Sequence, residues 1–453
     1  MSHNASSSAP QAQQGSRKSF ASQGLKGRLA AAPDKSISHR ALIFSALANG
    51  TTRIENLLES GDVLATAKAV AQFGANVEHV GPGEWSVTGC PIWKSPKQPV
   101  DLGNSGTAVR LLMGAASRFA LTVTFVGDES LSKRPMERVL GPLRTMGVEA
   151  EAQEGGRLPV RLTGASPLHP ISYAPPIASA QVKSAILLAG LGAEGVTTVE
   201  ERISTRDHSE RMAPLFGCPI VTEHHKPGRT VRIAGPITLQ SADHVHVPGD
   251  PSSAAFLIAA ALITPDSEIT VCDVLTNPAR FGLYEVLKTM GADLTFTPAG
   301  ERAGEELVHI TARTSTLKGV KVPASRAASM IDEYPILSVI AANAEGTTKM
   351  EGLGELRAKE SDRLAASAAM LQANGVKFEL GPDTLTVHGQ GLGSVPGGGL
   401  TETHHDHRLA MSGLILGLSS KLPSKVDDVA MIATSYPTFF DDMAQIGARI
   451  ESE

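Results

Sequence analysis

Lys35-Ser36 with Arg40, Asn104-Ser105-Gly106-Thr107 with Arg110, and Ser179-Ala180-Gln181 with Lys183 each stand at the start of a long apolar run. If those runs are helices, their first turns expose unpaired N–H groups and a partial positive charge, which the neighbouring cations reinforce. Two further starts differ: one carries Asp332 and Glu333, the other His405, His407 and Arg408. Intervening loops add Lys133-Arg134, Arg206, Arg280 and the run Lys359-Glu360-Ser361-Asp362-Arg363. Arginine forks match carboxylate and phosphate oxygens in particular. The chemistry indicated is the handling of small, multiply charged anions.

Each feature alone has a plainer reading. Ser36, Asn104, Ser179 and Ser252 are favoured N-caps whatever the function. Lys133, Arg134, Lys359 and Arg363 could be solvated loop charges, and Glu360 with Arg363 could be a routine i,i+3 helix pair. His404 to His407 reads HHDH, but spacing places no third ligand, so no metal is assigned. Residues 103–106, GNSG, form neither a Walker A loop nor a dinucleotide fingerprint. The functional reading rests on recurrence of these groups at equivalent places of a repeat.

That repeat is six-fold. A helical pattern closed by glycine and followed by a strand recurs at Gly74, Gly147, Gly217, Gly291, Gly375 and Gly447, spaced 73, 70, 74, 84 and 72 positions apart. Each glycine suits the left-handed position just past a helix. Interleaved with them are six apolar helices that begin near Ser36, Asn104, Ser179, Pro251, Ile331 and His405, most soon followed by a β-branched strand such as VTTVEERI or EITVCDVL. Each unit reads as a βαβαββ module. Six modules exceed one core, so the fold class is α/β, with two domains of three βαβαββ repeats each. The chain should cross between domains near residues 32–35 and 246–251, where AAPDK and VPGDPSS carry proline and aspartate. The expected division is 35–247 for the N-terminal domain and 24–34 plus 248–453 for the C-terminal one, with 1–23 a disordered tail rich in Ser, Ala and Gln.

Composition narrows the class. The net charge of −5 argues against nucleic acid as partner, so the clustered cations are a local device. No apolar run is long enough for a bilayer. The three cysteines, Cys90, Cys218 and Cys272, lack metal or disulfide spacing, and a reducing cytoplasm is the expected location.

Residues 102–114, LGNSGTAVRLLMG, and 356–366, LRAKESDRLAA, resemble the two signatures of the 5-enolpyruvylshikimate-3-phosphate synthase family. DKSISHRAL, LSKRPM, SAQVKSA, MIDEYPIL and HHDHRLAMS are similar to further blocks of that family and occur in its order. The resemblance covers nearly the whole chain from about residue 24. It implies transfer of the enolpyruvyl group of phosphoenolpyruvate to the 5-hydroxyl of shikimate 3-phosphate, in the shikimate pathway to chorismate and aromatic amino acids.

The resemblance also implies roles. Shikimate 3-phosphate would meet Lys35, Ser36, Arg40, Ser179, Ala180, Gln181, Arg206, Asp332 and Lys359, mainly in the N-terminal domain. Phosphoenolpyruvate would meet Lys35, Gly106, Arg134, Gln181, Arg363 and Arg408. Asp332 would be the base for the 5-hydroxyl and Glu360 the acid for the methylene carbon, with Lys35 the third catalytic group. No metal or organic cofactor is implied, and the chain is expected to act as a monomer. Glyphosate would compete with phosphoenolpyruvate. RDHSERM and SAQVK lie nearer the family's second class, often tolerant of that inhibitor. Pro33, Gly106 and Ala279 depart from the tolerant pattern, so the chain is expected to be sensitive. The related UDP-N-acetylglucosamine enolpyruvyl transferases usually place a cysteine in the loop that here reads GDESLSKRPM, residues 127–136, without one. A non-catalytic scaffold fits poorly with retention of Asp332, Glu360 and every basic position.

Overall fold

The computed structural model describes residues 15–226 and 228–452. Six inner helices carry the apolar runs: α1 Lys35–Leu47, α2 Gly106–Ser117, α3 Ala180–Gly190, α4 Pro251–Ile263, α5 Tyr334–Ala342 and α6 His407–Gly417. A helix that is apolar all round is stable only where no side meets water. Every residue of α4 is buried. Small side chains let the inner helices approach closely: a Cβ added to Gly114 of α2 would lie 2.2 Å from the Ala185 carbonyl oxygen of α3.

Six four-stranded sheets of one pattern surround these helices. In the second, Val100–Asp101 runs parallel to Thr122–Val126, which pairs antiparallel with Arg157–Thr163, itself antiparallel to Glu149–Gln153. Arg157–Thr163 buries alternate residues, as a strand with one wet face must. The outer helices end where the repeat spacing predicts. All six repeat glycines have positive φ, from 71° at Gly217 to 115° at Gly74, which lets the chain turn from helix into strand.

Three sheets borrow a strand from a distant part of the chain. His244–His246 lies parallel to Thr51–Glu55 in the first sheet, and Lys26–Ala30 parallel to Glu268–Leu275 in the fourth. Arg17–Ser19 sits in the sixth sheet between Ser424–Val426 and Ile450–Ser452, antiparallel to both. This last pairing corrects the expectation that residues 1–23 are a disordered tail. Residues 1–14 lie outside the described residues, but 17–19 are a strand. Its hydrogen-bonding partners lie at the far end of the chain, so its own composition carries no signal. Ser19 is wholly buried, and Arg17 lies over the Phe440 ring, 5.4 Å from its centroid.

The buried apolar residues form two clusters. One gathers side chains from Ile37 to Val247 with Leu275 and Leu307, the other those from Leu25 to Ala32 and from Ala254 to Ile446. The chain passes between them twice, and the two passes pair with each other. Asp34 N–H donates to the Pro248 carbonyl at 2.7 Å, and Asp250 N–H to that of Ala32 at 2.8 Å. Among the described residues, no helix is long and apolar enough to cross a membrane.

Candidate active site

The starts of the inner helices converge on one cleft of about 420 Å³. Lys35, Ser36, Arg40, Gly106, Arg134, Ser179, Ala180, Gln181, Arg206, Asp332, Lys359, Glu360, Arg363 and Arg408 all line it. Of the residues read as possible caps only Ser179 is one, accepting from Val182 N at 3.4 Å, while Ser36, Asn104 and Ser252 give way to the neighbouring Asp34, Ser105 and Asp250. Asp34 caps α1 by accepting from Ile37 N at 2.7 Å, Ser105 caps α2 through Ala108 N at 3.2 Å, and Asp406 caps α6 through Arg408 N at 3.0 Å. The caps satisfy one N–H each and leave the neighbouring charged side chains to face the cleft.

On the N-terminal side, Arg40 is buried and held at three points. It donates to Ser209 Oγ at 2.8 Å, Ser184 Oγ at 2.9 Å and the Ser36 carbonyl at 2.9 Å. Burial lowers its pKa to about 10, still far above neutrality. Gln181 accepts from Arg110 at 2.7 Å and donates to Thr107 Oγ1 at 2.9 Å, which fixes its amide across α2 and α3. Arg134 donates to Asn104 Oδ1 at 2.6 Å. Lys35 Nζ lies 3.1 Å from Asp62.

On the C-terminal side, Asp332 stands among cations. Arg206 from the other side approaches at 2.5 Å, Arg363 at 3.0 Å and Lys359 at 3.3 Å, while Arg408 donates to the Asp332 carbonyl at 3.1 Å. Burial alone would raise the Asp332 pKa, but Lys359, Arg206, Arg408 and Arg363 hold it well below the usual carboxylate range. Glu360 is treated alike: burial opposes ionisation, and Arg363 at 2.6 Å with Arg134 at 3.9 Å overrules it. Arg363 is 1% exposed, and its Nε donates to Asp406 at 2.7 Å. Ten lysines and arginines line the cleft against five aspartates and glutamates. That surplus, in a chain of net charge −5, makes the cleft a receptor for anions.

A sequence model of the family described as EPSP synthase (3-phosphoshikimate 1-carboxyvinyltransferase) matches residues 21–443. The chain belongs to the EPSP synthase family. It is 58% identical over 428 residues to the 3-phosphoshikimate 1-carboxyvinyltransferase of Maricaulis maris, covering 94% of this chain and 95% of that one. With the protein of the same name from Parvibaculum lavamentivorans it shares 54% over 427 residues, 94% of either chain. The solved EPSP synthase of Acinetobacter baumannii superposes with a TM-score of 0.86 at 40% identity, over 96% of this chain and 99% of that one.

One reading of the EPSP synthase-like blocks needs revision. Lys183 does not face the cleft. It is fully buried and pairs with Glu201 at 2.9 Å and Glu210 at 2.6 Å, because its place in the first turn of α3 points it inward. The HHDH stretch spends its aspartate on Arg363 and on the α6 cap, and Ser361 also donates to it at 3.0 Å. His407 lines the cleft, and burial first, then Lys35 and Arg408, pushes its pKa well down, so the ring is neutral. Asp62 and Asp406 escaped sequence reasoning as site residues. An acid in a first helical turn or at a cap is commonplace, and only the fold sets it beside Lys35 or Arg363.

Proposed function

We infer that this cleft is where the family reaction takes place. The chain is a 3-phosphoshikimate 1-carboxyvinyltransferase, a transferase that moves the enolpyruvyl group of phosphoenolpyruvate to shikimate 3-phosphate in the shikimate pathway. The observation that carries the assignment of site to reaction is the surplus of cations, ten against five, around one space. Both substrates and the departing phosphate are anions, and desolvated arginines stabilise such charge far better than water does.

Ser36, Arg40, Ser179, Ala180, Gln181 and Arg206 take shikimate 3-phosphate on one side, with Lys359 and Asp332 opposite. Gly106, Arg134, Gln181, Arg363 and Arg408 take phosphoenolpyruvate, and Lys35 reaches both. Asp332 removes the 5-hydroxyl proton while that oxygen bonds to C2 of phosphoenolpyruvate. Glu360 delivers a proton to C3, giving a tetrahedral ketal phosphate. Return of a C3 proton to Glu360 as the C2–phosphate bond breaks, with the proton held by Asp332 passing to the departing phosphate, then yields the enol ether and inorganic phosphate. The carboxylate environment supports this division. Without substrate, Asp332 and Glu360 are held ionised by the arginines and lysine around them. Substrate phosphates and carboxylate would occupy those same cations, raising both pKa values toward the range where proton transfer is efficient.

Residues 35–247 and 24–34 plus 248–453 act as two domains that close on the substrates. The two apolar clusters and the paired crossings support that division. Both walls of the cleft come from one chain, which favours a monomer. Cys90, Cys218 and Cys272 are free thiols, which favours the cytoplasm. Glyphosate competes with phosphoenolpyruvate beside Gly106. Phosphate release measured with both substrates tests the assignment: dependence on both together supports it, and no release under any condition overturns it.

A further inference from the structure

Arg280 does not belong to the substrate contacts given above, yet its side chain is almost wholly buried at the point where the chain passes between the two halves. One terminal nitrogen, Nη1, donates to Asp34 Oδ2 at 2.9 Å and lies 3.3 Å from His208 Nε2. The other, Nη2, donates to Asp250 Oδ1 at 2.7 Å and to Ser252 Oγ at 2.8 Å. Asp34 and Asp250 are the N-caps of α1 and α4, so one guanidinium joins the caps of the first inner helix on each side. The two crossings already pair through their backbones, and Arg280 ties their side chains as well.

Both ends of this tie lead to the cleft. Asp34 sets the first turn of α1, which carries Lys35 and Ser36. Ser252 in turn donates to Glu333, whose carboxylate lies 3.4 Å from Arg408. His208 is neutral beside the guanidinium, since burial and the Arg280 and Arg40 cations lower its pKa to about 3. Its Nδ1 is 2.7 Å from Glu305, so Nε2 is left to accept from Arg280.

We propose that Arg280 is a positioning residue for the transfer, fixing Lys35 on one side of the cleft and Arg408 on the other at the separation the reaction needs. The inference rests on the reading of the cleft given above. A planar fork can serve two carboxylates on separate segments at once, whereas a lysine ammonium can reach only one of them well. Misplacement of reacting groups by about 1 Å can cost on the order of 100-fold in rate without removing any contact residue.

The test uses the full chain and two variants, Arg280→Lys and Asp250→Asn, the second removing the negative charge from one arm only while keeping an oxygen that can accept. Shikimate 3-phosphate binding is titrated by calorimetry, and phosphate release is measured with both substrates. Arg280→Lys should bind shikimate 3-phosphate at one per chain with affinity within about threefold of wild type, while kcat falls about 100-fold. Asp250→Asn should show the same split with a fall of about tenfold. A variant that merely folds poorly would lose binding stoichiometry and kcat in the same proportion. That proportional loss, or turnover within about threefold of wild type in folded variants, overturns the positioning role. Should Arg280→Lys fail to fold, the same two readouts on Asp250→Asn decide. A wild-type chain that releases no phosphate overturns the reading of the cleft and this inference with it, which separates the two failures.

Discussion

Two groups of paired charge, one around Lys183 of α3 and one in the cleft, do different work. Around Lys183, the side chains of Lys183, Glu201, Glu210 and Arg229 are each at most 5% exposed and pair among themselves. In the cleft, Asp332, Glu360, Arg363, Lys359 and Arg206 are also paired, but around open space and with cations in excess. Ion pairing is common to both, although of this cleft group only Arg363 is as deeply buried as the first group. What distinguishes a site from a scaffold is the unmatched charge and the room beside it. A closed network has spent its charge on itself, and breaking it costs stability; an open one retains charge for a ligand, and breaking it costs chemistry.

Substitutions should separate the two groups cleanly. The largest effect belongs to the cleft carboxylates. Asp332→Asn and Glu360→Gln should each lower turnover by about 10²- to 10⁴-fold in phosphate release, with calorimetry still detecting shikimate 3-phosphate. Near-normal turnover in either would remove that residue from its proton-transfer role. Lys183→Met should do the opposite. Loss of a partner from a buried network costs about 3–5 kcal/mol of stability, read by urea unfolding, with turnover per folded molecule kept close to wild type. A folded, stable Lys183→Met with collapsed activity would erase the distinction drawn here.

Arg363→Ala should lower kcat/KM for phosphoenolpyruvate about 30- to 150-fold and affect shikimate 3-phosphate binding much less. Equal losses toward both substrates would move Arg363 into the structural group. Gly106→Ala probes finer geometry. The added Cβ would sit 3.0 Å from Nη1 of both Arg110 and Arg134, so these guanidinium groups must yield slightly. Glyphosate, proposed above to compete beside Gly106, should lose about tenfold relative to phosphoenolpyruvate. Inhibition at fixed phosphoenolpyruvate measures that ratio, and an unchanged ratio counts against close approach at Gly106.

The smallest effect is a slope. Burial raises the Glu305 pKa from 4.5 to about 7, although Arg211 and Asn277 favour its charged form. A carboxyl with a raised folded pKa contributes stability at low pH and loses it as pH climbs from about 4.5 through about 7. Unfolding free energies at pH 5 and pH 8 should therefore differ less in Glu305→Gln than in wild type. An identical difference in both would show that Glu305 titrates normally.

Much of this architecture is written locally. The six glycines stand at helix ends, where one residue needs a left-handed backbone, and that requirement shows in any single unit. Helix starts are equally local, which is why Lys35, Asn104, Ser179 and Asp332 could be picked out together. What escaped is set by direction and by distance along the chain. Lys183 and Gln181 are two residues apart on α3, so they point to different sides of it, and only packing decides which side is wet. Asp406 could be seen beside histidines, but its bond to Arg363 joins two repeats. Arg17–Ser19 is three residues long and takes its structure from sequence that follows much later.

The borrowed strands set an order of assembly during synthesis. The sheet built around Thr51–Glu55 lacks a member until His244–His246 has been made. The segments Lys26–Ala30 and Arg17–Ser19 wait longer still, for residues 268–275 and then 450–452. At ordinary translation speeds of about 5–20 residues per second, the amino-terminal segment stays without its partners for roughly 20–90 s. The N-terminal half can close while the residues that follow it are still on the ribosome, whereas the C-terminal half must retrieve segments made long before it to finish. A circular permutant starting at Lys35, with the present ends joined, would deliver each half in spatial order and shorten that wait.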